Sequence, residues 1–152
     1  MFKHILVPVD GSATAFSAVD NALALAKAFG SEVTAVYVID PYPFTGVGAD
    51  FAYGQDQYLT AATAEANAAV DAVAARLQDA GVPVHKRVVE ASSASRGILE
   101  AAQAVNADLI VMGSHGRRGL EKLVLGSVAQ RVLSGASLPV LVVHGKQAAA
   151  QA

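Results

Sequence analysis

Five short apolar runs rich in β-branched residues, at 4–9, 33–39, 84–89, 108–112 and 139–143, alternate with longer segments whose apolar residues recur at three- and four-residue steps. That alternation leaves few folds open. A continuously apolar strand must be covered on both faces, and the intervening helices are the elements available to cover it. The pattern therefore predicts an α/β fold with a five-stranded parallel sheet, right-handed helical crossovers and helices on both sides. At 152 residues the chain fits a single domain. Periodicity leaves the strand order open.

Helix limits follow from caps and breakers. Ser12 is placed to cap a first helix over about 13–29, with Phe16, Val19, Leu23 and Ala26 turned inward and Gly30 at its end. A second helix, about 58–80, carries Leu59, Ala66, Val70, Val73 and Leu77 on one face and stops at Gly81 before Pro83. A third covers about 94–105. The fourth starts near Ser127, turns Val128, Val132 and Leu133 inward, and ends at Gly135. Between Asp40 and Gln57, two prolines and three glycines predict an irregular connection. Five of the nine aromatic residues, Tyr42, Phe44, Phe51, Tyr53 and Tyr58, fall in 42–58, which suits a lid, a partner contact or local packing. The domain is expected over 1–145, with a flexible tail at 146–152.

Charge and composition exclude several function classes. A net charge of −2 gives no broad basic surface for nucleic acid or anionic membrane, and no run approaches a membrane span. The absence of cysteine removes disulfides and thiolate metal sites and fits a cytoplasmic setting. Locally the balance reverses. Between Gly113 and Arg131, Arg117, Arg118, Lys122 and Arg131 stand against Glu121 alone, which suits a small polyanion.

The chemistry-bearing motif lies in that basic stretch. Gly113, Gly116 and Gly126-Ser127 are spaced G-x2-G-x9-G-S, between the apolar run Leu109-Ile110-Val111-Met112 and the fourth helix. Glycine lets backbone amides approach an anion, and a helix N-terminus offers unpaired N–H groups in a favourable dipole. A phosphate seat is expected there. The opposite wall would be Pro8-Val9-Asp10-Gly11-Ser12 after the first strand, because ligands of open α/β sheets bind at C-terminal strand ends where the strand order reverses. The P-loop pattern, G-x-G-x2-G after the first strand and G-x-S-x-G are all missing, and His4, His85, His115 and His144 show no ligand spacing. No metal site and no catalytic residue is assigned.

Taken with Ile5-Leu6-Val7-Pro8-Val9-Asp10-Gly11-Ser12, Val36-Tyr37-Val38-Ile39-Asp40 and Pro139-Val140-Leu141-Val142-Val143, the glycine segment gives a chain that resembles the universal stress protein family, in its ATP-binding branch, over about residues 2–144. The resemblance implies a three-layer α/β/α domain of the adenine nucleotide alpha hydrolase-like type, with sheet order 3-2-1-4-5. It implies a homodimer paired through the 140–143 edge, and ATP, with Mg2+ where the phosphates carry it, as the ligand. Pro8, Val9 and Asp10 would flank the nucleoside, the Asp10 carboxylate accepting from ribose hydroxyls; unaided, Asp10 reads equally as a turn residue. Val38 and Met112 would meet the base, though by composition both are core. Gly113 would pass the ribose, while Gly116, Gly126, Ser127 and Val128 would form the phosphate seat, with Ser127 also a candidate helix cap. His115 and Arg117 would reach phosphate oxygens or face solvent. Many relatives carry Gly-x-Pro after the third strand, where this chain has Glu90-Ala91-Ser92-Ser93-Ala94-Ser95, and Ser92, Ser93 or Ser95 can cap the third helix in its place. Three functions are compatible: a nucleotide-dependent regulatory homodimer in stress response, a slow ATP hydrolase with His115 as the one candidate base, and a dimer module with a vestigial pocket.

Overall fold

A strand with a neighbour on each edge and a helix layer on each face has no surface left, and the first strand is of this kind. Ile5, Leu6 and Val7 are fully buried, each side chain contributing roughly 1.5–3 kcal/mol by leaving water. The computed structural model describes residues 1–40, 49–115 and 125–144. Its strands are β1 (His4–Pro8), β2 (Glu32–Ile39), β3 (Val84–Glu90), β4 (Leu109–Gly113) and β5 (Val140–Val143). They form one sheet in the order β3-β2-β1-β4-β5, with every pairing parallel. Register runs from His4 opposite Glu32 and from Ile5 opposite Leu109.

The helices are α1 (Ala13–Phe29), α2 (Ala49–Asp79), α3 (Ala94–Ala104) and α4 (Ser127–Gly135). Alternate residues of the strands feed two cores. Ile5, Val7, Val33 and Val111 pack with α1 and α2 on one face, whereas Leu6, Val36, Ile110 and Met112 pack with α3 and α4 on the other. The expected three-layer α/β/α domain and its strand order are present.

Caps act largely as the sequence predicts. Ser12 Oγ accepts from the Ala15 amide at 3.2 Å, and Gly30 closes α1 at φ 68°, where a Cβ would be strained. Ser93 caps α3 by accepting from the Arg96 amide at 3.2 Å. Three expectations fail. Helix α2 begins at Ala49, so the irregular connection expected up to Gln57 is helical in its last part. Gly54 lies within that helix, and Tyr58, half-buried there, donates to the Asp40 carbonyl at 3.0 Å. Phe16 and Leu133, expected inward, are exposed. The buried stripe of α1 is instead Ala15, Ala18, Val19, Ala22 and Ala26, small side chains that let the helix lie close to the sheet and leave Phe16 at its margin. In α4 the inward positions are Ala129 and Val132. The expected tail, Tyr42 and Phe44 lie outside the described residues.

Candidate functional site

Strand order reverses between β1 and β4, since β1 leads to β2 on one side while β4 leads to β5 on the other. Connections leaving the two strands diverge, which opens a crevice at their C-terminal ends. A cavity of about 360 Å³ lies there. Pro8, Val9 and Asp10 wall it from the exit of β1, Val38 from β2, Met112, Gly113 and His115 from the exit of β4, and Gly126, Ser127 and Val128 from the start of α4. These ten are residues that the sequence singled out; Gly116 and Arg117 lie outside the described residues.

Ala15, Val36, Ala94, Ile98, Ser114 and Ala129 complete the wall and were not anticipated. Five of the six are small or apolar residues inside regular elements, where no motif marks a cavity wall. Ser114, by contrast, lay in plain view within the glycine motif.

Local geometry explains most of the placements. Asp10 Oδ1 accepts from the Ser12 amide at 2.9 Å, an Asx turn that reverses the chain into α1, with Gly11 at φ 83° between them. The turn role read from the residue type is therefore present, and it engages one of the two carboxylate oxygens. Gly113 is bare for a reason within the protein. A Cβ there would lie 2.5 Å from Thr14 Cγ2 and 3.1 Å from the Thr14 carbonyl oxygen, so its absence lets α1 lie against β4.

Gly126 is equally constrained, since a Cβ would meet the Ser114 carbonyl at 3.0 Å. Its amide donates to that same carbonyl at 2.7 Å. The Gly126 N–H is thus already engaged, contrary to the expectation that it serves a phosphate. Ser127 is not a helix cap either: the N-cap residue is Gly126, which as a glycine supplies no side-chain cap. The amides of Ser127, Val128 and Ala129 have no intrahelical acceptor, and they carry the positive end of the helix dipole, worth roughly half a charge.

Ser114 is buried, its amide donating to Val143 at 2.8 Å and its hydroxyl lying 3.1 Å from His115 Nδ1. Ile98 and Met112 of the second apolar cluster, with Val38 packed against it, give the same cavity an apolar wall. The arrangement couples an apolar slot to an anion-favouring helix start. Among the described residues no group of three His, Cys, Asp or Glu side chains could hold a metal ion.

Known proteins share this architecture. Universal stress protein MJ0531 of Methanocaldococcus jannaschii is 40% identical over 143 residues, covering 94% of this chain and 82% of that protein. The solved structure of hypothetical protein MJ0577 superposes with a TM-score of 0.84 at 31% identity, covering 97% of this chain and 99% of that one. Two more distant structures share the fold: a universal stress protein in complex with cAMP (TM-score 0.66, 24% identity, 95% and 98% covered) and one from Archaeoglobus fulgidus in complex with dAMP (TM-score 0.62, 19% identity, 94% and 98% covered). The model of the universal stress protein family matches residues 1–144. With that span matched and the same sheet order in place, this chain belongs to the universal stress protein family.

Proposed function

We propose that the chain binds ATP in the cavity between β1, β4 and α4 and acts as a nucleotide-dependent regulatory homodimer in stress response. One observation carries the reading: a helix start with no side-chain cap opens onto an apolar cavity at the strand-order reversal. Adenine would lie against Val38, Ile98 and Met112, and the ribose would meet Asp10 beside Pro8 and Val9. The phosphates would run past Gly113 and Gly116 to the amides of Ser127 and Val128, with His115 and Arg117 beside them. Any Mg2+ would be held mainly by phosphate oxygens and water. The cAMP and dAMP complexes of the two distant family structures support an adenine nucleotide in this class of fold.

Dimerisation is supported by β5, which ends the sheet and exposes Leu141 at 38%. An apolar strand whose outer backbone edge has no strand partner among the described residues invites a second copy. No helix among the described residues is long and apolar enough to cross a membrane, and the proposed setting is the cytoplasm.

Calorimetric titration of ATP, AMP and adenosine into nucleotide-stripped protein with magnesium present, followed by assay of the same samples for ADP, tests the reading. ATP is expected to bind more tightly than adenosine, without steady ADP release. Absence of binding heat at several temperatures would sink the nucleotide site, and sustained ADP release would make the protein a slow hydrolase.

A further inference from the structure

Buried hydroxyl groups must place their hydrogen on an acceptor, and Ser114 has one side-chain partner. The residue is 1% exposed, and among the described residues the only partner of its hydroxyl is His115 Nδ1 at 3.1 Å. Its backbone allows little adjustment, since the amide is held by Val143 in β5 and the carbonyl by the amide of Gly126. A neutral imidazole has one N–H and one lone pair. Were Nδ1 to carry the hydrogen, it would donate to Ser114 and leave the serine hydrogen without an acceptor among the described residues, a costly arrangement. With the lone pair on Nδ1, the serine donates and both groups are satisfied. No buried side-chain polar atom among the described residues is unpaired.

We infer that Ser114 is a positioning residue whose buried hydroxyl fixes His115 in the Nε2–H tautomer, so that His115 presents a neutral hydrogen-bond donor to a phosphate and not a proton acceptor to water. The inference rests on the nucleotide reading of the cavity that both residues line. It assigns the tautomer from the hydrogen-bond network. Phosphate oxygens accept and do not donate, so an Nε2–H matches them without any charge on the ring. The same bond removes His115 as a hydrolytic base. The ring's single lone pair, on Nδ1, is occupied by the serine hydrogen and Nε2 already bears its own hydrogen, so no basic nitrogen is available to an attacking water. The site is thereby given a donor for a phosphate oxygen and no histidine base.

The decisive experiment has two readouts. Long-range proton–nitrogen NMR of the His115 ring in the nucleotide-free protein at neutral pH reads the tautomer directly; the Nε2–H form is expected, and the Nδ1–H form would overturn the assignment whatever the protein binds. Calorimetry on Ser114→Ala then reads the consequence. ATP affinity should fall roughly two- to tenfold, the effect of one lost hydrogen bond, and fall further than adenosine affinity, while Ser114→Thr, which keeps the hydroxyl, keeps the wild-type ratio of the two. Equal losses for ATP and adenosine would mean that Ser114 only supports the fold, which overturns the positioning role. If Ser114→Ala does not fold, the wild-type spectrum and the ratio of ATP to adenosine affinity in Ser114→Thr decide instead, an unchanged ratio being expected and a lowered one counting against the role. Failure of the wild-type protein to bind ATP would instead defeat the nucleotide reading, and the tautomer spectrum would still stand or fall by itself.

Discussion

His4 shows how a single side chain ties stability to pH. Its Nε2 lies 2.6 Å from the buried Thr34 hydroxyl, and its Nδ1 lies 3.9 Å from Glu32, which in turn holds His85 at 2.8 Å. Burial holds its pKa below the ordinary 6.5, with His85 lowering it further, while Glu32 and Asp108 pull the other way without prevailing. A depressed folded-state pKa means that the unfolded chain binds the proton more readily. The stabilisation is therefore complete above pH 6.5 and is lost as pH falls through the folded value. The urea midpoint should drop between pH 7 and pH 5, and His4→Gln should flatten that drop; parallel profiles for the two proteins would refute the assignment. Gly113 makes a second residue-scale case. Gly113→Ala brings a Cβ against Thr14 and should cost about 1–3 kcal/mol. Adding Thr14→Ser removes the nearest atom, Cγ2, and should recover part of the loss in thermal unfolding; no recovery would mean that the Thr14 carbonyl sets the limit.

At the scale of the element, α4 joins a stability deficit to the proposed phosphate seat. Because no side chain caps it, Ser127→Asp should raise stability by about 0.3–1 kcal/mol through the dipole, while placing a fixed carboxylate where a phosphate would lie. Melting temperature and ATP affinity should move in opposite directions. If affinity holds, the phosphate seat is elsewhere. Strands and caps were legible in the sequence to within about a residue because apolar runs, Ser12, Gly30 and Gly81 are local signals. Helix α2 was not, since its first turns follow a stretch dense in proline and glycine and include Gly54, so tertiary context overrode local propensity. Phe16 and Leu133 were misplaced for a different reason: helical spacing identifies a stripe, whereas the small alanines decide how closely the sheet approaches and which large residue falls outside it. In the site, the motif residues were legible, but the apolar wall supplied by Ala94 and Ile98 was not, because nothing distinguishes a residue facing a cavity from one facing core.

For the whole molecule, the order of strands came from resemblance to a family and not from periodicity, because a strand's composition does not name its neighbour. The sheet's outer edge carries the proposal of self-association. Within β5, Val142 packs on the second core while Leu141 is exposed, so Leu141→Glu is the substitution that tests the edge without disturbing the interior. Light scattering should report a monomer for that variant and a dimer for the wild type; a dimer in both would move the interface elsewhere. The bond between the Gly126 amide and the Ser114 carbonyl has a consequence for descent. It holds the exit of β4 to the residue that opens α4 through main-chain groups alone, and substitution by any residue but proline does not remove main-chain groups. A lineage can therefore exchange the chemistry displayed beside this join and still inherit the join itself.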